Sequence, residues 1–120
     1  MIEKVKERLK TLGYEATEDD DFLINYAIDK IQYRVKFFTN LNEVPEALEK
    51  EVIDAICGDI LSFKLIKGDL DVERAVQSIT EGDVTVNYGS NNDPVTLLQK
   101  YYNGLNLRDS VLIAFRVFKW

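Results

Sequence analysis

The chain reads as a mainly α protein, a small bundle of about four to five helices with one β-hairpin near residues 76–88. Three observations predict this. Apolar residues recur at the 3.6-residue period in several segments. Helix start and stop signals, Pro45, Pro94, Gly13 and Gly68, bracket those segments. β-branched residues then flank the short Glu81-Gly82-Asp83 stretch, a hairpin signal. At 120 residues a single domain is expected over 1–120, with 107–120 as a candidate docking tail.

The first helix is expected over 2–12. Ile2, Val5, Leu9 and Leu12 form its apolar stripe, and Gly13 sits at a C-terminal cap. Its polar face carries Lys4, Lys6, Arg8 and Lys10 against Glu3 and Glu7. Thr17-Glu18-Asp19-Asp20 marks the next start, with acids at the positive end of the helix dipole. That helix is expected from about Asp19 to Phe38, with Leu23, Ala27, Ile31 and Val35 on its stripe, backed by Ile24, Ile28 and Phe38. Asn40, Leu41 and Asn42 break it.

Pro45 suits the first position of a third helix, where its missing N–H has no intrahelical partner anyway. Leu48, Val52, Ala55, Ile56, Ile60 and Phe63 trace its turns, and apolar residues on more than half its circumference make it central. Gly58 costs about 1 kcal/mol there relative to Ala, so a close neighbouring helix is expected over it. Gly68 ends the helix. Asp71 to Val76 has room for one further helical turn. Gln77-Ser78-Ile79-Thr80 and Val84-Thr85-Val86-Asn87-Tyr88 are the expected hairpin arms. Two strands alone are marginal in water, so the hairpin needs its own helices or a neighbouring subunit. Ile79, Val84, Val86 and Tyr88 are its candidate subunit contacts. Asp93-Pro94 starts a last helix, ended by Asn103-Gly104. The tail from Leu107 to Trp120 fits helical and alternating patterns equally.

Composition excludes several chemistries. There are 15 Lys+Arg and 21 Asp+Glu, a net charge of −6, no His and one Cys. Without His there is no Ser-His-Asp triad, Cys-His pair or HExxH site. One Cys allows no intrachain disulfide and no CxxC pair. The acid excess argues against a general nucleic-acid binder. No apolar run approaches the roughly 18 residues of a membrane span. Charges through Met1–Arg8 leave no signal-peptide core, and the unpaired Cys57 suits a reducing cytosol. A chain this short buries only about two-thirds of its unfolded surface, so oligomerisation is a natural way to bury more.

Candidate constellations are few. Glu18 to Asp21 lacks EF-hand spacing, and helix capping explains it. Cys57 has no base nearby in sequence and reads as a buried thiol. Gly82, Gly89 and Gly104 make no phosphate loop. No metal, no cofactor and no enzymatic activity are expected. The tail is the most unusual feature: Phe115, Phe118 and Trp120 alternate with Arg116 and Lys119 at the end of the sequence. These five residues are either packed on the chain's own core or an anchor for a partner, and both readings can hold together.

The order of parts carries a resemblance. Leu12-Gly13-Tyr14 closes a short helix; acids precede an apolar helix; Val44-Pro45-Glu46 starts a long helix containing Cys57-Gly58. Ser78-Ile79-Thr80-Glu81-Gly82-Asp83-Val84-Thr85-Val86 follows, and the sequence ends in Lys119-Trp120. This layout resembles the head–tail connector (adaptor) proteins of tailed bacteriophages and prophages, across nearly the whole chain. The family's stretch before the final Trp is usually richer in Arg than Ala114-Phe115-Arg116-Val117-Phe118. The resemblance implies a helical bundle with a hairpin and a structural role in the virion neck, assembled in the host cytoplasm. It implies a homo-oligomeric ring of about twelve copies. The ring sits under the portal protein and meets a stopper or tail-side neck protein. It extends the DNA channel, through which DNA passes without specific binding, and no membrane is involved. The C-terminal segment, Phe115, Arg116, Phe118, Lys119 and Trp120, is the part implied to dock on the portal. An acidic channel wall would let DNA slide. Two other readings compete. One is a small acidic helical module that binds or regulates a basic protein partner. The other is an enzyme using only carboxylates and Tyr, which needs a deep pocket with two carboxylates close together.

Overall fold

Five α-helices carry the residues described in the computed structural model, which are 1–81, 93–108 and 111–112. They are α1 (Ile2–Thr11), α2 (Asp21–Thr39), α3 (Glu49–Lys67), α4 (Val72–Glu81) and α5 (Pro94–Gly104). Single 3₁₀ turns, Glu18–Asp20 and Glu46–Leu48, lead into α2 and α3. No helix among the described residues is long and apolar enough to cross a membrane.

α3 is the central element, packed against α1, α2 and α5. Val52, Ala55, Ile56, Cys57, Ile60 and Leu61 are all buried, so its apolar residues serve several neighbours at once. α1 contributes Val5, Leu9 and Leu12; α2 contributes Ile24, Ala27, Ile28, Ile31 and Val35. α2 and α3 run antiparallel: Asp20, just before α2, meets Lys64 late in α3, and Lys30 meets Asp59. Gly68 closes α3 in the left-handed region at φ +85°. Pro45 precedes the 3₁₀ turn, and regular helix begins at Glu49.

Two glycines set close approaches. A Cβ on Gly58 would lie 2.8 Å from the Tyr102 carbonyl oxygen and 3.1 Å from Leu105 Cβ, so α5 rests directly on the α3 backbone there. Gly13 has φ +89°, and a Cβ on it would lie 3.0 Å from the Arg74 carbonyl oxygen and 3.1 Å from Ala75 Cα. The end of α1 thus seats α4.

The first arm of the expected hairpin is helical instead. Residues 77–80 belong to α4. The reason is visible in the spacing: Val72, Ala75, Val76 and Ile79 follow i, i+3, i+4, i+7, and Ala75 and Ile79 are buried. Asp71 accepts a hydrogen bond from the Arg74 N–H at 3.2 Å and starts the helix. Packing on a 3.6-residue period outweighs the strand preference of Ile79 and Thr80. The second arm, Val84 to Tyr88, lies outside the described residues.

α5 starts as its sequence predicts, with Asp93 Oδ1 accepting from the Thr96 N–H at 2.8 Å and Pro94 in the first turn. Leu98 and Tyr102 bury its inner face. Leu107 and Leu112 return to the same core, both buried, and the Arg108 carbonyl accepts from the Val111 and Leu112 N–H groups.

Candidate functional site

The predicted site residues separate into two groups. Phe115, Arg116, Phe118, Lys119 and Trp120, and Val84, Val86 and Tyr88, lie outside the described residues. Ile79 is described: only 4% exposed, it belongs to the chain's own core on α4 and is not a strand residue facing a neighbouring subunit.

Polar clusters come next. One acid of the Glu18–Asp21 run is buried. Asp20 accepts from Lys64 Nζ at 2.8 Å, from Tyr14 Oη at 2.8 Å and from the Thr17 N–H at 3.1 Å. Lys64 also sits over the Tyr14 ring, 5.7 Å from its centroid. Burial disfavours charge on Asp20, but the bonds from Lys64, Thr17 and Tyr14 outweigh it and hold the carboxyl below its usual range. The bond to Asp20 raises Lys64, and burial followed by that same carboxylate raises Tyr14. Every group in this cluster is spoken for, so it works as a clamp between the α1–α2 connection and α3. Sequence reading counted Asp20 with the capping acids, and Lys64 at a buried end of α3 was the signal that one acid turns inward.

Three of the four cations on the basic face of α1 are also answered internally. Lys4 pairs with Glu49, Arg8 Nε donates to Asp54 at 2.8 Å, and Lys6 lies 2.6 Å from Asp21. α1 therefore presents ion pairs with α3 and α2 rather than a free basic stripe. Cys57 is completely buried with Sγ 3.7 Å from the Val5 carbonyl; burial, then Asp54, pushes its thiol up to about 12 against a smaller opposing effect of Arg8. A thiol held there is no nucleophile. Among the described residues no group of three or more Cys, Asp or Glu is placed to hold a metal ion.

The feature that stands out is apolar. Phe22, Tyr26, Tyr33 and Phe37 are 84%, 62%, 72% and 69% exposed. At 3.6 residues per turn they fall within an arc of about 60° on α2, opposite the stripe that packs on the core. A shallow groove between α2 and α3, lined by Leu23, Tyr26, Lys30, Asp59 and Phe63, borders this face, and Phe63 is itself half exposed. Contiguous exposed aromatics of this size mark interaction surfaces. The arrangement offers flat rings with a few charges between them, suited to binding a protein surface. Sequence reading missed it because Tyr scores near neutral in hydropathy and the face looks polar in a two-letter pattern. The 4-7-4 spacing of the rings was the available signal.

No family model, curated protein or solved structure matches the chain.

Proposed function

We propose that this protein is a structural assembly subunit of the head–tail connector kind, without catalytic activity of its own. In this reading about twelve copies form a ring. The ring lies beneath the portal of a tailed phage or prophage, meets a stopper or tail-side neck protein, and passes DNA through its channel. The observation that carries the assembly part of the reading, whichever copy or partner covers it, is the exposed aromatic face of α2. A small helical domain that leaves four large rings in water is built to be covered by protein. The order of sequence parts supplies the connector identity, and the acid excess of −6 per copy suits a channel that DNA must not stick to.

The test is direct. Recombinant chain is mixed with recombinant portal protein and examined by negative-stain imaging and native mass spectrometry. Rings, or a portal-bound ring, are the expected result. No ring and no portal binding across concentrations, with a discrete complex to a basic protein instead, would overturn the connector reading in favour of a regulatory module.

A further inference from the structure

The aromatic face of α2 has a symmetry of its own. Read from either end, the exposed rings come in the same order: Phe22, Tyr26, Tyr33, Phe37. Their spacing, four, seven and four residues, is also the same in both directions. The midpoint falls between Asp29 and Lys30, two exposed residues of opposite charge. The central pair is antisymmetric in charge about that point, since Asp29 and Lys30 exchange places on a two-fold rotation. Acids lie just before the helix at Glu18 and Asp19, and a further exposed lysine, Lys36, lies in its C-terminal half.

We propose that α2 is a self-recognition surface on which two copies of this chain pair antiparallel about a two-fold axis. Phe22 then meets the partner's Phe37, Tyr26 meets the partner's Tyr33, and Asp29 meets the partner's Lys30, which in its own chain lies 3.5 Å from Asp59 and would be shared between the two carboxylates. An isologous contact requires the same patch to be complementary to itself after a two-fold rotation, and this stripe is. A parallel pairing is disfavoured by the same residues, because it sets Asp29 beside Asp29 and Lys30 beside Lys30. Heteroaromatic partners or lipid would not require the palindrome. At roughly 200 Å² per ring, the exposed parts of the four rings amount to about 570 Å² on each copy. Covered completely, the aromatics alone would contribute up to about 1,100 Å² in the pair, close to the size at which specific interfaces begin. The pair is closed, so it hides the stripe without propagating. The pairing does not rest on the connector reading.

The full chain is examined by sedimentation equilibrium over a wide concentration range. A monomer–dimer equilibrium is expected. Tyr26→Ser and Tyr33→Ser should each weaken it by about tenfold or more, since each substitution is made twice in the pair. Both side chains are exposed, so helical circular dichroism should not change. Register is read with a short bis-maleimide cross-linker on chains carrying Tyr26→Cys or Tyr33→Cys; the native Cys57 is completely buried and stays silent. Mixed chains should cross-link far better than either alone. A chain that stays monomeric at all concentrations overturns the proposal, as does equal cross-linking of Tyr26→Cys chains with themselves. A ring lost in the Tyr variants but showing no dimer would mean that the stripe meets a different face. That outcome overturns the two-fold pairing and leaves the connector reading standing.

Discussion

Asp20 shows how one residue ties three segments together. Its carboxylate takes bonds from Lys64, Tyr14 and the Thr17 backbone while almost buried. Removing one partner of a buried pair leaves the other charge without compensation, which costs more than the pair itself contributes. Asp20→Asn should therefore lower stability by about 2–4 kcal/mol at neutral pH, measured by urea unfolding, and adding Lys64→Met should recover part of that loss. The pH dependence follows from the direction of the shift. The folded pKa of Asp20 is lowered, so its contribution is complete above the unfolded value of about 3.9 and is lost as pH falls through the folded value. Unfolding curves for Asp20→Asn should converge on wild type in strong acid; a constant gap down to low pH would contradict the ion pair as the cause. Tyr102 is the opposite case. Its hydroxyl is buried with no partner among the described residues. Tyr102→Phe should leave the thermal midpoint unchanged or raise it, because an unpaired buried hydroxyl contributes nothing and its desolvation is a cost. A loss of more than about 1 kcal/mol would show that the hydroxyl has a partner.

At the scale of elements, α1, α2, α3 and α5 were legible in the sequence because packing and propensity agree in them. Gly58 illustrates the agreement. A glycine inside a buried helix is costly by propensity, and α5 lies directly on its backbone. Gly58→Ala should destabilise by about 1–3 kcal/mol in thermal unfolding, since overpacking outweighs the propensity gain of about 1 kcal/mol. α4 was only half legible. Its Val72, Ala75, Val76 and Ile79 carry the helical period, whereas Ile79 and Thr80 beside the Glu81-Gly82-Asp83 stretch carry strand and turn propensity. Docking on Gly13 and α5 decides the matter, and no local signal contains that contact. The distinction is measurable. As a core residue of α4, Ile79→Ala should cost about 2–5 kcal/mol in the isolated chain. As a strand residue facing another subunit it would leave the isolated chain unaffected and weaken assembly alone. The aromatic face of α2 was missed for a different reason: its four-, seven- and four-residue spacing is in the sequence, but Tyr is near neutral in hydropathy, and exposure in the folded helix is what sets this stripe apart from the core one.

For the whole molecule, charge and exposed aromatics are divided between different helices. α1 places Lys4, Lys6 and Arg8 in internal ion pairs, while α2 leaves aromatic rings in water. The C-terminal segment joins these two themes, because it is basic and aromatic where the rest is acidic. Its first part already has a structural duty: Leu107 and Leu112 are core residues. Truncation separates the anchor and the core readings of the tail. Ending the chain before Val111 removes Leu112, completely buried, and should lower stability by about 2–5 kcal/mol through the cavity it leaves. Deleting Phe118 to Trp120 should leave helical circular dichroism and the unfolding midpoint near wild type while abolishing portal docking in a pull-down. A three-residue deletion that unfolds the domain would place those aromatics in the chain's own core. The anchor would then have to be sought elsewhere.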